Sequence, residues 1–239
     1  DGKVAGSETN TVKMEDEYSS VTISKKEINK TEELPGAVLT VKLEKPSKTE
    51  NATLKNVKVS GGANNVTAGK DTIVFTSGET ASEITMLPDG KYTLTETTSP
   101  DGYTVNNETV EFEIKDGKLV SDKEIVEMLD RPSSVKISKT DVSGREIPGA
   151  ELILTIKRSD KTVGASLERC ATEKVKVSED GKSLSWISEA KITEITGLPD
   201  GTYELTELQA PDGYVIAETI EFTVKDGKTA DEKIVMEDK

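Results

Sequence analysis

The chain alternates between apolar and polar positions over short runs, and a period of two is typical of β-strands that bury one face. These runs are rich in Val, Ile, Thr and Tyr, and clusters of Gly, Pro, Asp and Asn separate them. Asp-Gly pairs at 116–117 and 226–227 follow two alternating runs, at 109–114 and 219–224, and such pairs favour tight hairpins. Since no long segment has the period of an amphipathic helix, we predict an all-β protein.

The same order of segments occurs twice along the chain, which indicates two tandem domains. We place them at residues 18–131 and 132–239, each the size of a compact domain. Arg131 and Pro132 are the predicted linker, and a short linker with proline should be stiff. Residues 1–17 resemble the closing hairpin of the second domain, so we interpret them as the remnant of a preceding repeat in a longer array.

Three predicted strands in each copy carry a charged residue at the end of their apolar face. Because residues two apart in a strand share a face, Lys139 points to the same side as Val135 and Ile137. The same period in a middle strand and in the last strand turns a glutamate and an aspartate inward. The inward charges are Lys25, Glu96 and Asp130 in the first copy, and Lys139, Glu207 and Asp238 in the second.

These inward charges suggest a specific reaction. Lys, Glu and Asp are almost never fully buried unless paired, so we expect the three residues of each copy to meet. Desolvation lowers the pKa of a buried amine and raises the pKa of a buried carboxyl group. An uncharged amine beside a protonated aspartic acid can attack its carboxyl carbon, while the glutamic acid polarises the carbonyl and moves protons. The product is an isopeptide bond.

Two simpler interpretations of the same charges stay open at this point. Each charge could lie at a strand end with its charged group in water, forming at most an ordinary salt bridge. Alternatively, a buried ion pair could form and never condense. The recurrence of three residue types, in phase and in both copies, favours the reacting trio.

Composition excludes several classes of function. A formal net charge of −14 argues against binding of nucleic acid or anionic lipid, which needs clustered positive charge. Without histidine, and with Cys170 as the single cysteine, the chain cannot build the usual zinc sites, Ser-His or Cys-His pairs, or an internal disulfide. It contains no apolar run long enough to insert into a membrane. Because histidine is absent and cysteine occurs once, we expect neither a metal nor a cofactor.

The segments 92–103 and 203–214 resemble the "E-box" of Cna B-type domains, which occur in Gram-positive adhesins and pilins. The resemblance covers 18–239, and it implies two tandem prealbumin-like Greek-key β-sandwich domains. In that family the E-box glutamate assists an isopeptide bond between a lysine of the first strand and an Asn or Asp of the last. By this resemblance the assisting residues are Glu96 and Glu207, and the crosslinked residues are Lys25, Asp130, Lys139 and Asp238.

The resemblance implies a structural stalk segment of an extracellular, cell-wall-anchored adhesin or pilin, not an enzyme, with neighbouring repeats of the chain as its partners. An alternative is an adhesin module that binds a host matrix protein through 47–69 and 158–183, the least similar stretches of the two copies. A hydrolase with paired carboxylates is a third hypothesis, and it requires those groups in an open cleft. The last strand of the first copy is one residue longer, which leaves the register of Asp130 open.

Overall fold

The structure is a computed structural model that describes residues 17–239. In this part of the chain, strands make up nearly all of the regular structure, and a single turn of 3-10 helix is the exception. The predicted all-β fold with two tandem domains is confirmed. The hairpin predicted for residues 1–17 lies outside the described residues, except for residue 17.

Eleven strands form the first domain. In chain order they are β1 (Ser20–Glu27), β2 (Val38–Pro46), β3 (Lys58–Gly61), β4 (Asn64–Ala68), β5 (Thr72–Thr76), β6 (Ser82–Thr85), β7 (Gly90–Thr98), β8 (Tyr103–Thr104), β9 (Val110–Lys115), β10 (Lys118–Leu119) and β11 (Ile125–Pro132).

Eight strands and the 3-10 helix, Glu168–Cys170, form the second domain. The strands are β12 (Ser134–Asp141), β13 (Glu151–Ser159), β14 (Lys176–Val177), β15 (Ser183–Ile187), β16 (Thr193–Thr196), β17 (Gly201–Gln209), β18 (Ile220–Val224) and β19 (Ile234–Asp238).

Each domain is a sandwich of two sheets around an apolar core. In the first domain the sheet orders are β3-β6-β1-β11-β8 and β10-β9-β7-β2-β5-β4, and in the second they are β16-β12-β19 and β14-β15-β13-β17-β18. The first and last strands of each domain are neighbours and run parallel, β1 with β11 and β12 with β19. This pairing places the beginning and the end of each domain in one sheet.

Alternating burial along the strands produces the core. In β7, Tyr92 and Leu94 are buried, and Thr93 between them faces outward. Tyr92 stacks on Phe112 with ring centroids 5.1 Å apart, and Tyr203 makes the equivalent stack in the second domain. Such pairs add to the stabilisation by burial and fix the position of β7 against β9.

The connection between the domains is shorter than predicted. Arg131 and Pro132, the predicted linker, are the last residues of β11, where they pair with β8. Ser133 alone separates β11 from β12. Its amide donates to the carbonyl of Gly102 at 2.8 Å, and its carbonyl accepts from the amide of Gly197 at 2.9 Å. The connecting residue is therefore held by both domains.

Candidate crosslinking site

The parallel pairing of first and last strands brings each lysine next to its predicted acceptor. Lys25 lies opposite Met128 in the register of β1 and β11, and Asp130 follows two residues later on the same face. In the second domain Lys139 lies opposite Met236, and Asp238 follows at the same offset. The register of Asp130 is thus the same as that of Asp238, because the extra residue of the first domain precedes Val126.

The lysine and aspartate of the first domain are in contact inside the core. Nζ of Lys25 contacts Oδ1 of Asp130, and Oε1 of Glu96 lies 3.1 Å from the same nitrogen. Glu96 reaches this point from β7, in the opposite sheet. The side chain of Lys25 is 1% exposed, and those of Glu96 and Asp130 are 0% exposed.

The second domain repeats this geometry. Nζ of Lys139 contacts Oδ1 of Asp238, and Oε1 of Glu207 lies 3.2 Å from it. The lysine side chain is 2% exposed and both carboxyl groups are fully buried. All six predicted site residues therefore fall into two matching buried trios. This burial contradicts the interpretation in which the charges extend into water, and it contradicts the open cleft that a hydrolase requires.

A backbone amide holds each glutamate in place. Oε2 of Glu96 accepts from the amide of Asn106 at 2.6 Å, and Oε2 of Glu207 accepts from the amide of Ala217 at 2.7 Å. The other oxygen, Oε1, is turned toward the lysine. Among the described residues no donor makes a well-directed hydrogen bond to Oε1 of either glutamate, although Nζ is near. Such buried, unpaired oxygens are uncommon in folded proteins, and a role in chemistry is one reason for which they are retained.

Burial also changes the acidity of the first site. It raises the pKa of Glu96 to about 7, even though the Asn106 amide and the positive charge of Lys25 act in the opposite direction. Burial raises the pKa of Asp130 as well, against the hydrogen bond and charge of Lys25. The first site therefore favours protonated carboxyl groups, the form in which an aspartic acid accepts an amine and a glutamic acid donates a proton.

Sequence reasoning missed a second glutamate in each domain. Oε2 of Glu33 accepts from the backbone amide of Lys25 at 2.8 Å, and Oε1 accepts from the hydroxyl of Ser24 at 2.5 Å. Glu146 binds Ser138 and the amide of Lys139 in the same way. A signal was present, because both glutamates lie two residues before a Pro-Gly pair in the repeated segments.

A family model matches both halves of the chain. The model describes the SpaA prealbumin-like fold domain, and it matches residues 19–127 and again residues 133–239. The chain belongs to this family. SpaA-type domains are structural rather than catalytic, which agrees with the prediction that the chain is not an enzyme.

Comparison with solved structures finds the Bacillus anthracis TIE protein, several pilins and a pilus adhesin. The Bacillus anthracis TIE protein is 25% identical with a TM-score of 0.45, and the match covers 92% of this chain. The chain spans 33% of the TIE protein and 62% of a streptococcal ancillary pilin, which is 20% identical with a TM-score of 0.36. A C-terminal fragment of the pilus adhesin SpaC from Lactobacillus rhamnosus GG is 15% identical with a TM-score of 0.45, over 93% of this chain and 96% of the fragment. No curated protein matches the chain.

Two further observations concern the described residues as a whole. No helix in residues 17–239 is long and apolar enough to cross a membrane. Within the same residues, no group of three or more His, Cys, Asp or Glu side chains is placed to hold a metal ion. Cys170 is buried, and burial raises the pKa of its thiol to about 12, so it is a poor nucleophile.

Proposed function

We propose that the chain is a structural stalk segment of an extracellular, cell-wall-anchored adhesin or pilin of a Gram-positive bacterium, with an autocatalytic Lys–Asp isopeptide bond in each domain. One observation carries this proposal: a lysine amine and an aspartate carboxyl are in contact, buried beside a glutamate, in both domains. Membership of a structural family supports the stalk role.

The energetics of burial favour condensation over an unreacted pair. An unreacted amine and carboxyl group keep two ionisable groups in the core, and removing such groups from water costs several kcal/mol each. Oδ2 of Asp130 and of Asp238 also has no hydrogen-bond partner among the described residues. An amide carries no charge, so bond formation removes most of this cost.

The reaction needs only the three side chains. The amine of Lys139 attacks Cγ of Asp238, and a carbon–nitrogen bond forms. Glu207 takes a proton from the nitrogen and gives one to the departing hydroxyl group, so that one water leaves and the glutamic acid is regenerated. Lys25, Asp130 and Glu96 follow the same steps. Each domain reacts once, and its bond then persists.

Each bond would close a long loop of chain. The crosslinked residues are 105 positions apart in the first domain and 99 in the second. On the loop-entropy model, closing a loop of this length stabilises the folded state by about 4 to 5 kcal/mol. Unlike a disulfide, an amide does not respond to the redox state outside the cell.

The parallel strands also define how the domain carries tension. A pull on the chain enters at the beginning of β1 and leaves at the end of β11, so it shears these two neighbours past each other. A bond between Lys25 and Asp130 would transmit the pull directly from one strand to the other. The residues between the crosslinked positions would then bear none of it.

The mass of the intact chain tests the proposal. We expect the full chain to be lighter than its sequence mass by two waters, one for each domain. Glu207→Gln should restore one water, because the amide side chain keeps the shape but cannot move the proton. Glu204→Gln is the matched control, since Glu204 lies on the outer face of the same strand with its side chain 35% exposed. A full chain at its sequence mass would refute the crosslinks.

A further inference from the structure

Besides Ser133, two small surfaces meet at the joint between the two domains. One is the Pro-Asp-Gly-Tyr turn of the first domain with the serine before it, residues 99–103, which we call the docking loop. The other belongs to the second domain and comprises Lys161, residues 197–201 and the hairpin turn 226–227; we call it the docking face. Both consist of segments that occur in each copy of the repeat.

Polar contacts join the docking loop to the docking face. Oδ1 of Asp101 accepts from the backbone amide of Asp200 at 2.8 Å. Nζ of Lys161 lies 3.4 Å from the carbonyl oxygen of Ser99 and 3.0 Å from Oδ2 of Asp200. Asp200 is itself held by the two backbone amides of the 226–227 turn. The joint is therefore a defined set of directed interactions.

Two glycines let the backbones approach closely. A Cβ on Gly102 would lie 2.7 Å from the carbonyl oxygen of Gly197, and one on Gly227 would lie 2.7 Å from the carbonyl oxygen of Tyr103. Real Cβ atoms do not come so near to an oxygen, and both glycines have a positive φ, at 85° and 72°. Only glycine fits at these two positions while the joint is closed.

The first domain carries the same docking face. Asp89 accepts from the backbone amides of Asp116 at 2.7 Å and Gly117 at 3.0 Å, as Asp200 does from its own hairpin turn. Nζ of Lys48 lies 2.7 Å from Oδ2 of Asp89, in the position that Lys161 takes in the second domain. Ser19 donates to the carbonyl of Leu87, which is the contact that Ser133 makes with Leu198. The docking face of the first domain is therefore preformed, with the same internal contacts as the covered face of the second domain.

In residues 17–239 this first docking face is uncovered. The side chain of Lys48 is 63% exposed, whereas that of Lys161 in the closed joint is 23% exposed. A Cβ on Gly117 would meet nothing nearer than 3.9 Å. The corresponding loop of the second domain, 210–214, is uncovered at its glycine, because among the described residues a Cβ on Gly213 would meet no atom within 4 Å.

We infer that the docking face around Asp89 binds the Pro-Asp-Gly-Tyr loop of a preceding SpaA-type domain, and that the loop at 210–214 binds the docking face of a following one. A spacing in the sequence supports this occupant, because Asp16 precedes Ser19 by the same interval as Asp130 precedes Ser133. The inference deepens the proposed stalk role, and it rests on that role only for the tandem arrangement of domains. It does not depend on the isopeptide bonds.

A head-to-tail fusion of two copies of this chain tests the inference. In the fusion, Lys239 of the first copy is followed directly by Tyr18 of the second. Asp238 then precedes Ser19 by the interval found between Asp130 and Ser133. The fusion thus contains two native joints and one new joint, in which the loop at 210–214 can reach the face around Asp89.

Spin labels measure the geometry of each joint. Glu111 and Glu221 are exposed and occupy equivalent positions in the two domains, so Glu111→Cys and Glu221→Cys in a Cys170→Ala background give matched label sites. One sample carries labels across a native joint, and another carries them across the new joint. We expect two narrow distance distributions with the same maximum. A broad distribution across the new joint beside a narrow native one would overturn the inference.

Variants of the two loops test whether the new joint depends on the same contact as the native joint. Asp212→Ala in the first copy should broaden the distribution across the new joint only, because it removes the acceptor for the Asp89 amide. Asp101→Ala should broaden only the native joint of the copy that carries it. A new joint that stays narrow with Asp212→Ala would show that another contact makes it, contrary to the inference. The mass of each variant reports the isopeptide bonds separately, so failure of the crosslinks and failure of docking are distinguishable.

Discussion

Two glutamates in each domain act on the same lysine in different ways. Glu33 binds the backbone amide of Lys25 and the hydroxyl of Ser24, and so fixes where the lysine leaves the strand. Glu96 faces the end of the side chain, 3.1 Å from its nitrogen. A long, flexible lysine loses considerable rotamer entropy when it is held at one point. The contacts of Glu33 and Glu96, at the two ends of the residue, offset this entropy loss and hold Lys25 in position before any reaction.

The acidity of Glu96 leads to a prediction for the rate of bond formation in the first domain. Its pKa is raised to about 7 by burial, so the group is protonated below that pH and loses its proton above it. Since the reaction requires the protonated form, we expect the rate to fall as the pH rises above about 7. Before reaction, Glu96 in the folded state keeps a proton that it loses near pH 4.5 in the unfolded chain. The stability of the unreacted domain therefore falls as the pH rises from 4.5 to about 7.

Refolding measures this rate. Unfolded chain is recovered from inclusion bodies, and its mass shows that it is unreacted. It is then diluted into buffers from about pH 6 to 9. Samples are quenched with acid and digested, and mass spectrometry measures the loss of water. Circular dichroism at each pH is the control for the rate of folding itself. A rate of water loss that is constant or rises with pH would contradict the role of Glu96.

At the scale of elements, the alternation of faces along β11 decides which residue could form the proposed bond with Lys25. Asp130 is buried, and its neighbour Leu129 is 41% exposed on the outer face. A shift by one residue therefore moves the carboxyl group from the core to the solvent. The parallel register with β1 fixes the position along the strand, and the alternation fixes the side.

Exchanging these two neighbours tests the role of the strand. The double variant Leu129→Asp with Asp130→Leu keeps the composition, but it turns the aspartate carboxyl group outward, away from Lys25. We expect the first domain to retain its water and its melting temperature to fall, while the second domain reacts normally. Leu129→Asp alone is the control and should still react. Loss of water from the first domain of the double variant would show that the face does not matter.

The sandwich was predicted from the resemblance to Cna B-type domains. A period of two was sufficient to predict the six inward-facing charges, because it places residues such as Lys139 and Ile137 on one face without knowledge of the partner strand. It was not sufficient for Glu146, whose role depends on a turn that brings it back to the backbone of β12. The linker was placed two residues early for a similar reason. Proline interrupts most strands, but Pro132 lies at the end of β11, where it pairs with the short β8.

For the whole molecule, the crosslinks predict the response to force. With both bonds formed, neither domain can extend, because the loops of 105 and 99 residues lie outside the path of tension. The double variant Lys25→Ala with Lys139→Ala removes both bonds. Each domain should then unfold and release chain, roughly 350 Å for the first.

Single-molecule stretching by atomic force microscopy measures these lengths. The intact chain, pulled from its ends, should show no domain unfolding before it detaches, and the double variant should show two events. Lys26→Ala is the matched control, because this lysine follows Lys25 but its side chain is 19% exposed and pairs with Glu127. Unfolding events in the intact chain would contradict the proposed path of tension.

The parallel course of β1 and β11 has one more consequence, for the reach of an array. If the first and last strands were antiparallel neighbours, the chain would enter and leave at the same side, and successive copies would fold back on each other. Parallel neighbours place entry and exit at opposite ends of the sandwich. In the proposed stalk, each added copy would therefore lengthen the array by nearly the height of one domain, and no length would be lost in return connections.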